Sequence, residues 1–283
     1  MEVNGYKIKP KSDLHSSELC FLDLEYANLT EANLSQANLI RSDLSFSELS
    51  GARFYDADMT GANFSNSKCN WANFDQCEAN ESIFEEAILC NASFEASELS
   101  GANFFRANLE AANFRGANLE NSTFFDANLD FVDFSEANLR GAVLNHASMK
   151  SAKLVNADLT GCYFVGTDCT NSDFRGAILQ KTIVGIFEFP IYFTNPQEVE
   201  DLPDYARHDA YAADVMLRNF NFDDAIDDFE AFFEFKENGN FLSADFSNAN
   251  MKGVNLRNTV VLGDGGQIEG NYVRRIIFEN AIL

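Results

Sequence analysis

The stretch that decides the fold reads ANFFR ANLEA ANFRG ANLEN over residues 102–121. The central position of each group of five is Phe or Leu, and the residue two places earlier is Ala. From residue 14 to residue 179 this phase continues without a break, through 34 consecutive units whose centres are apolar or Cys. A period of five matches neither the helix period of 3.6 nor the strand period of 2. The five-residue unit is therefore a structural element in its own right.

The central residues show that four units make a larger repeat. When they are sorted in steps of 20, all eleven central phenylalanines fall in two opposite columns, and the columns between hold Leu, Met, Cys and Ala. A unit with two inward residues and three polar ones suits a chain that turns a corner every five residues. Four corners close a square coil of 20 residues, and such coils stack about 4.8 Å apart through backbone hydrogen bonds. Phe walls alternating with Leu walls then fill a narrow interior.

Units such as ANLTE (27–31), ANLSQ (32–36) and ANFFR (102–106) carry a resemblance to a known family. They are similar to the A(D/N)LXX signature of the pentapeptide-repeat proteins. The match covers residues 12–181, and the period returns near residues 241–262. The resemblance implies an all-β fold, a right-handed quadrilateral parallel β-helix. It does not select one function, because members of the family are diverse.

The period divides the chain into parts. Residues 1–11 are predicted to form an N-terminal cap, 12–181 the solenoid, 182–240 an acidic and partly α-helical insertion, 241–262 a resumed coil, and 263–283 a C-terminal turn or cap. Residues 183–193 are densely apolar and are expected to cover the open end or one side of the solenoid. Residues 204–218 and 223–236 are predicted to be helices, with Pro203 near the first and Gly239 after the second.

The chain is acidic, with 44 Asp and Glu against 20 Lys and Arg and a net charge of −24. Residues 12–181 carry −15 of this charge, spread over four faces. Such a surface disfavours direct binding to nucleic acid or anionic membranes and suits a basic protein partner. Residues 1–11 lack the apolar run of a signal peptide, and no stretch approaches the ~18 apolar residues of a membrane span. We expect a cytoplasmic or comparable reducing compartment.

The six cysteines show neither disulfide nor metal-ligand spacing. The phase predicts that four of them point inward: Cys69, Cys77, Cys162 and Cys169. Cys20 and Cys90 are predicted to point outward on different faces. None of the three histidines has a Cys, Asp or Glu at triad or ligand spacing. We therefore expect no catalytic residue, no cofactor and no metal site, and a protein that is not an enzyme.

Outward aromatic residues are the best candidates for a binding surface. Five of them are predicted to point outward from the face whose central column contains Leu24 and Leu44: Tyr26, Phe46, Phe105, Phe125 and Tyr163. Trp71, the only Trp, points outward from a neighbouring face. Two interpretations stay open. The rings cover one another or lie beneath the insertion, or they form a stripe that binds a partner.

Two functional hypotheses follow. The first is a rigid acidic scaffold or regulator that binds a protein partner without catalysis. The second hypothesis, implied by the resemblance, is a DNA mimic. Quinolone-resistance and toxin-immunity members of the family look like acidic rods that occupy the DNA-binding saddle of a type II topoisomerase, DNA gyrase or topoisomerase IV. The solenoid of about 8.5 coils would be about 41 Å long. Duplex DNA of this length carries about 24 negative charges, whereas the solenoid carries a net charge of −15. The oligomeric state stays open, with a homodimer through a C-terminal surface as one alternative.

Overall fold

A computed structural model describes residues 2–3, 5–179, 182–185, 260–262, 266–268 and 271–273. Its strands in chain order are β1 (Glu2–Val3), β2 (Tyr6–Lys7), β3 (Tyr163–Val165), β4 (Ile183–Gly185), β5 (Val260–Leu262), β6 (Gly266–Ile268) and β7 (Asn271–Val273). β1 pairs with β2 and β6 with β7, both antiparallel, whereas β3, β4 and β5 form a parallel sheet in that order.

The long section between β2 and β3 is a coil joined by single-residue parallel bridges. Each bridge pairs a residue with the one 20 positions later, from Asp13 with Asn33 through to Asp158 with Ile178. Four five-residue units therefore make one coil, as the sorted columns predict. The β-helix class of the fold is confirmed.

Units with a coil on both sides use their backbone N–H groups in the same way, with the five positions numbered so that the central residue is position 3. The N–H groups of positions 2, 3 and 5 donate to carbonyl oxygens of neighbouring coils, and the N–H of position 1 closes the turn onto the preceding centre. In the unit centred on Leu34 these bonds and the following turn bond measure 2.7–3.1 Å. Only the N–H of position 4 is left over, and where position 2 is Asn or Asp its side chain accepts this N–H, as Asn33 Oδ1 accepts Ser35 N at 3.3 Å. This explains the second residue of the signature, because a backbone N–H needs a partner.

The corner of each unit has an unusual backbone conformation. From residue 16 to residue 176, every position 5 has a φ between 51° and 73°. Most of these residues are not glycine, and the left-handed region costs an L-residue roughly 1–2 kcal/mol. The corners are nevertheless formed because the same residue donates its N–H to the next coil, as Tyr26 N donates to Ser45 O at 3.1 Å.

The interior consists of stacked side chains. Phe54, Phe74 and Phe94 are fully buried and stack with ring centroids 4.7 and 4.6 Å apart, close to the spacing of the coils. Across the core they meet the opposite Phe column edge to face, for example Phe74 with Phe84 at 5.7 Å and 81°. Parallel rings within a column and perpendicular rings across it are both favourable geometries. The alternation of Phe and Leu walls is therefore a packing requirement.

Short strands lie at both ends of the described coil. The β1–β2 hairpin packs Val3 and Tyr6 against the core cluster. The register of β5 on β4 places Val261, which belongs to the resumed five-residue period, beside Val184, so residues 260–262 extend the parallel sheet of β3 and β4. The predicted helices at 204–218 and 223–236 and the apolar residues 186–193 lie outside the described residues. The hand of the coil and the domain limits stay predictions.

Candidate protein-binding surface

Tyr26 and Phe46 form an exposed pair of stacked rings. Both occupy position 5, at the same corner of successive coils. Their ring centroids lie 5.2 Å apart with an interplanar angle of 22°. Tyr26 is 68% exposed and Phe46 is 46% exposed. Both residues point outward, as the phase predicts, and together they present one continuous aromatic surface.

The C-terminal part of the predicted aromatic face is buried, which for these residues favours the first of the two open interpretations, rings covered by neighbouring side chains. Phe105, Phe125 and Tyr163 are only 6%, 2% and 6% exposed. The Arg106 guanidinium lies 4.8 Å from the centroid of the Phe105 ring. Phe125 packs against both Phe105 and His146, with ring centroids 6.0 and 5.1 Å away. The phase gives the direction of a side chain but not the cover that its neighbours supply, so these three residues leave the candidate surface.

Trp71 is 68% exposed, as predicted, and four exposed apolar residues were missed: Phe21, Tyr55, Ile88 and Phe131. These four residues lie on other faces and corners than the face that contains Leu24 and Leu44, so the predicted stripe does not include them. A search of all outward positions for large apolar residues would have found them. Of the seven exposed large apolar residues that the structure describes, only Phe131 lies beyond residue 105.

Charge is also unequal along the axis of the rod. Residues 12–105, here called the acidic half, hold 16 acidic and three basic residues, a net charge of −13. Residues 106–179 hold nine acidic and six basic residues, a net charge of −3. Within the acidic half, residues 69–105 contain seven acidic residues and no basic one. The predicted spread of charge around four faces therefore conceals a strong asymmetry along the rod, which a count along the chain would have revealed.

One column of the acidic half stacks three carboxylates without a cation. Asp58, Glu78 and Glu98 are joined by successive parallel bridges, so their backbones lie about 4.8 Å apart. Among the residues that the structure describes, none of the three forms an ion pair. Asn118 Nδ2 donates a hydrogen bond to Glu98 Oε2 at 2.8 Å. Like charges directly opposite each other are destabilising, so the column presents uncompensated negative charge at a cost in stability.

In residues 106–179, by contrast, many of the carboxylates form ion pairs with nearby arginine or lysine side chains. Desolvation raises the pKa of Asp133 and Asp168, but hydrogen bonds and a lysine one coil away outweigh it, so each pKa lies below its ordinary value. Arg175 donates hydrogen bonds to Asp173 and lowers its pKa. Since folding depresses these pKa values, their stabilisation is present above the ordinary carboxyl pKa and is lost as the pH falls through the lowered values.

The cysteines and the other polar groups offer little chemistry. The four cysteines predicted to point inward are buried, Cys20 and Cys90 are partly exposed, and all six are free. Burial raises the pKa of Cys69 to about 12, although a hydrogen bond with Ser67 opposes the shift. Thiols with raised pKa values are poor nucleophiles. Within the described ranges, no group of three or more His, Cys, Asp or Glu could hold a metal ion, and no helix is long and apolar enough to cross a membrane.

The fold and the surface together define an acidic β-helical rod built from five-residue units. The family model of pentapeptide repeats matches the chain in eight copies, over residues 21–66, 67–104, 102–141, 124–161, 152–183 and 237–260. These matches cover more than half of the chain, and the protein belongs to the pentapeptide-repeat family. No curated protein sequence matches the chain significantly.

Three solved structures of pentapeptide-repeat proteins are similar to this chain to different degrees. HetL, a pentapeptide repeat protein involved in heterocyst differentiation regulation in the cyanobacterium Nostoc sp. strain PCC 7120, superposes with a TM-score of 0.61 at 21% identity, over 93% of this chain and 87% of HetL. Rfr23 of the cyanobacterium Cyanothece 51142 is 38% identical over 30% of this chain and 58% of its own, with a TM-score of 0.30. QnrB1, a plasmid-mediated fluoroquinolone resistance protein, is 19% identical over 57% of this chain and 89% of its own, also with a TM-score of 0.30. The superposition on HetL shows a shared fold.

Replacing Glu78 by Lys should stabilise the rod, because the ammonium group would stand between Asp58 and Glu98. Opposite-charge pairs across neighbouring strands contribute roughly 0.2–1 kcal/mol. The free energy of unfolding in urea should therefore rise by up to about 1 kcal/mol at low salt, and the gain should shrink at high ionic strength.

Glu48→Lys is the matched control, because it changes the net charge equally at the same position of a unit. Glu48 Oε1 lies 2.7 Å from Lys68 Nζ, so this substitution replaces an ion pair by two like charges. We expect Glu48→Lys to lower the stability. A gain in both variants would show that overall net charge, and not the carboxylate column, controls the effect.

Proposed function

We propose that this protein is a non-enzymatic rod that binds a basic protein partner through its acidic half. The observation that carries the proposal is a coincidence of two properties in residues 12–105. This half has a net charge of −13, and it holds all but one of the exposed large apolar residues that the structure describes. Exposed apolar surface marks protein interfaces, and an excess of carboxylates attracts basic partners.

The construction of the rod supports binding without catalysis. Its inward positions are filled by stacked side chains, and its outward side chains stand on a backbone whose N–H groups are bonded from coil to coil. Such a surface is already ordered before binding, which lowers the entropic cost of association. Paired carboxylates that act as acid and base require a cleft, whereas the side of a rod is convex.

Capture of partners by the immobilised full-length protein tests this function. In lysate of the source organism, mass spectrometry should identify a basic protein that is retained saturably and released by salt. Glu81→Gln with Glu86→Gln removes two exposed charges from the acidic half, and retention should fall several-fold. Glu110→Gln with Glu120→Gln removes two exposed charges beyond it and should leave retention nearly unchanged. Equal losses in both variants, or the absence of saturable capture, would contradict the proposal.

A more specific form of the same proposal is a DNA mimic that binds DNA gyrase or topoisomerase IV. The observation that favours it is the charge density of the acidic half. Its 94 residues make about 4.7 coils, which extend about 23 Å. Duplex DNA of that length carries about 13 charges, and the acidic half carries −13. The linear charge density of this half thus equals that of a duplex, whereas residues 106–179 fall far short of it.

DNA mimicry is tested by the supercoiling activity of purified gyrase. Excess protein should inhibit supercoiling and relieve quinolone-induced cleavage, because it would compete with DNA for a basic surface. The variant pair at Glu81 and Glu86 should inhibit less than the pair at Glu110 and Glu120. Undiminished supercoiling and unchanged cleavage at excess wild-type protein would remove gyrase as the partner, and saturable capture of another basic protein would leave the broader function standing.

A further inference from the structure

We infer that the stacked rings of Tyr26 and Phe46 form a docking site for an arginine side chain of the protein partner. The inference deepens the proposed function and depends on it. It identifies which part of the acidic half makes a specific contact and which chemical group of the partner is recognised.

The geometry of the pair suits a planar cation. Tyr26 and Phe46 lie 5.2 Å apart and nearly parallel at one corner of successive coils, and both remain exposed. Of the ring pairs that the structure describes, this is the only one whose two members are both exposed. Trp71 and Phe131 share another corner, but Asn91 and Ala111 separate them. A guanidinium group stacks on aromatic faces, where it gains cation–π attraction, and each ring of the stacked pair has one face turned away from the other ring.

The charges around the pair favour a cation. Asp23 and Glu25 precede Tyr26 in the same unit, and Asp43 precedes Phe46 in the next coil. Among the described residues, no ion pair involves these three carboxylates. No cation of the described residues lies over either ring. The site therefore combines an uncovered aromatic surface with negative charge that has no cation of its own.

The rod itself contains an example of the proposed contact. Arg106 occupies position 5 at the same corner, four coils after Tyr26. Its guanidinium lies 4.8 Å from the centroid of the Phe105 ring and donates from Nε to Asp126 Oδ2 at 3.3 Å. An arginine held by a ring and a carboxylate is thus compatible with this backbone geometry. At Tyr26 and Phe46 the ring and the carboxylates are present, and the arginine would come from the partner.

Two labelled peptides of equal charge, nona-arginine and nona-lysine, separate stacking from simple charge attraction. Binding to the full-length protein is measured by fluorescence anisotropy at fixed ionic strength. The wild type should bind nona-arginine several-fold more tightly than nona-lysine, because only the guanidinium is planar. Tyr26→Ser with Phe46→Ser should bring this ratio close to one, and Phe131→Ser, the matched control at an exposed ring elsewhere, should leave it unchanged.

Tyr26→Leu with Phe46→Leu keeps apolar bulk at the corner and removes the aromatic faces, so it serves if the Ser variant loses its fold. It too should bring the ratio close to one. A wild type without arginine preference, or an unchanged ratio in a folded pair variant, overturns the inference. If that happens while capture still depends on Glu81 and Glu86, the docking site is wrong and the proposed function survives. If the arginine preference does not depend on the ring pair and capture does not depend on Glu81 and Glu86, both the docking site and the proposed function are wrong.

Discussion

The hydrogen bonding of the five-residue unit is the constraint on which the rest of the structure depends. Each corner places one residue in the left-handed region, and four bonds per unit join it to its neighbours and close its turn. The one N–H outside this ladder is taken by the Asn or Asp side chain of position 2 where the sequence provides it, as at Asn33 and Ser35. Elsewhere the preceding coil can supply the acceptor, as Asp75 Oδ1 does for Glu95 N at 2.9 Å. Because this hydrogen-bond pattern repeats every five residues, it fixes whether each side chain of the coil points inward or outward.

That regularity explains how much could be predicted from the sequence. The unit, the coil of 20 and the inward positions all follow from periodicity, and residues as different as Cys69 and Phe74 lie buried where the phase places them. The candidate surface was predicted less well. Phe105 and Phe125 point outward in the phase but are covered, since burial depends on neighbouring side chains and not on direction alone. The predicted stripe does not include Phe21 because this residue lies at a different corner from the face that contains Leu24 and Leu44.

The two halves of the rod solve the same electrostatic problem differently. Beyond residue 105, arginine and lysine side chains pair with carboxylates of nearby units, as Arg115 does with Glu136 at 2.7 Å. In the acidic half, a column such as Asp58, Glu78 and Glu98 stays without an ion pair among the described residues. Repulsion of this kind lowers stability. Under the proposed function, the same excess of carboxylates attracts the basic partner.

The coil of 20 residues, and not the unit of five alone, defines the fold. Duplicating residues 102–121 adds one complete coil, and duplicating residues 102–106 adds one unit and turns every later Phe column onto a Leu column. The free energy of unfolding, measured by denaturant titration, tests this directly. We expect the 20-residue duplication to leave the free energy of unfolding equal or higher, and the five-residue duplication to lower it through mismatched packing. Equal stability of the two duplications would show that the coil of 20 does not define the fold.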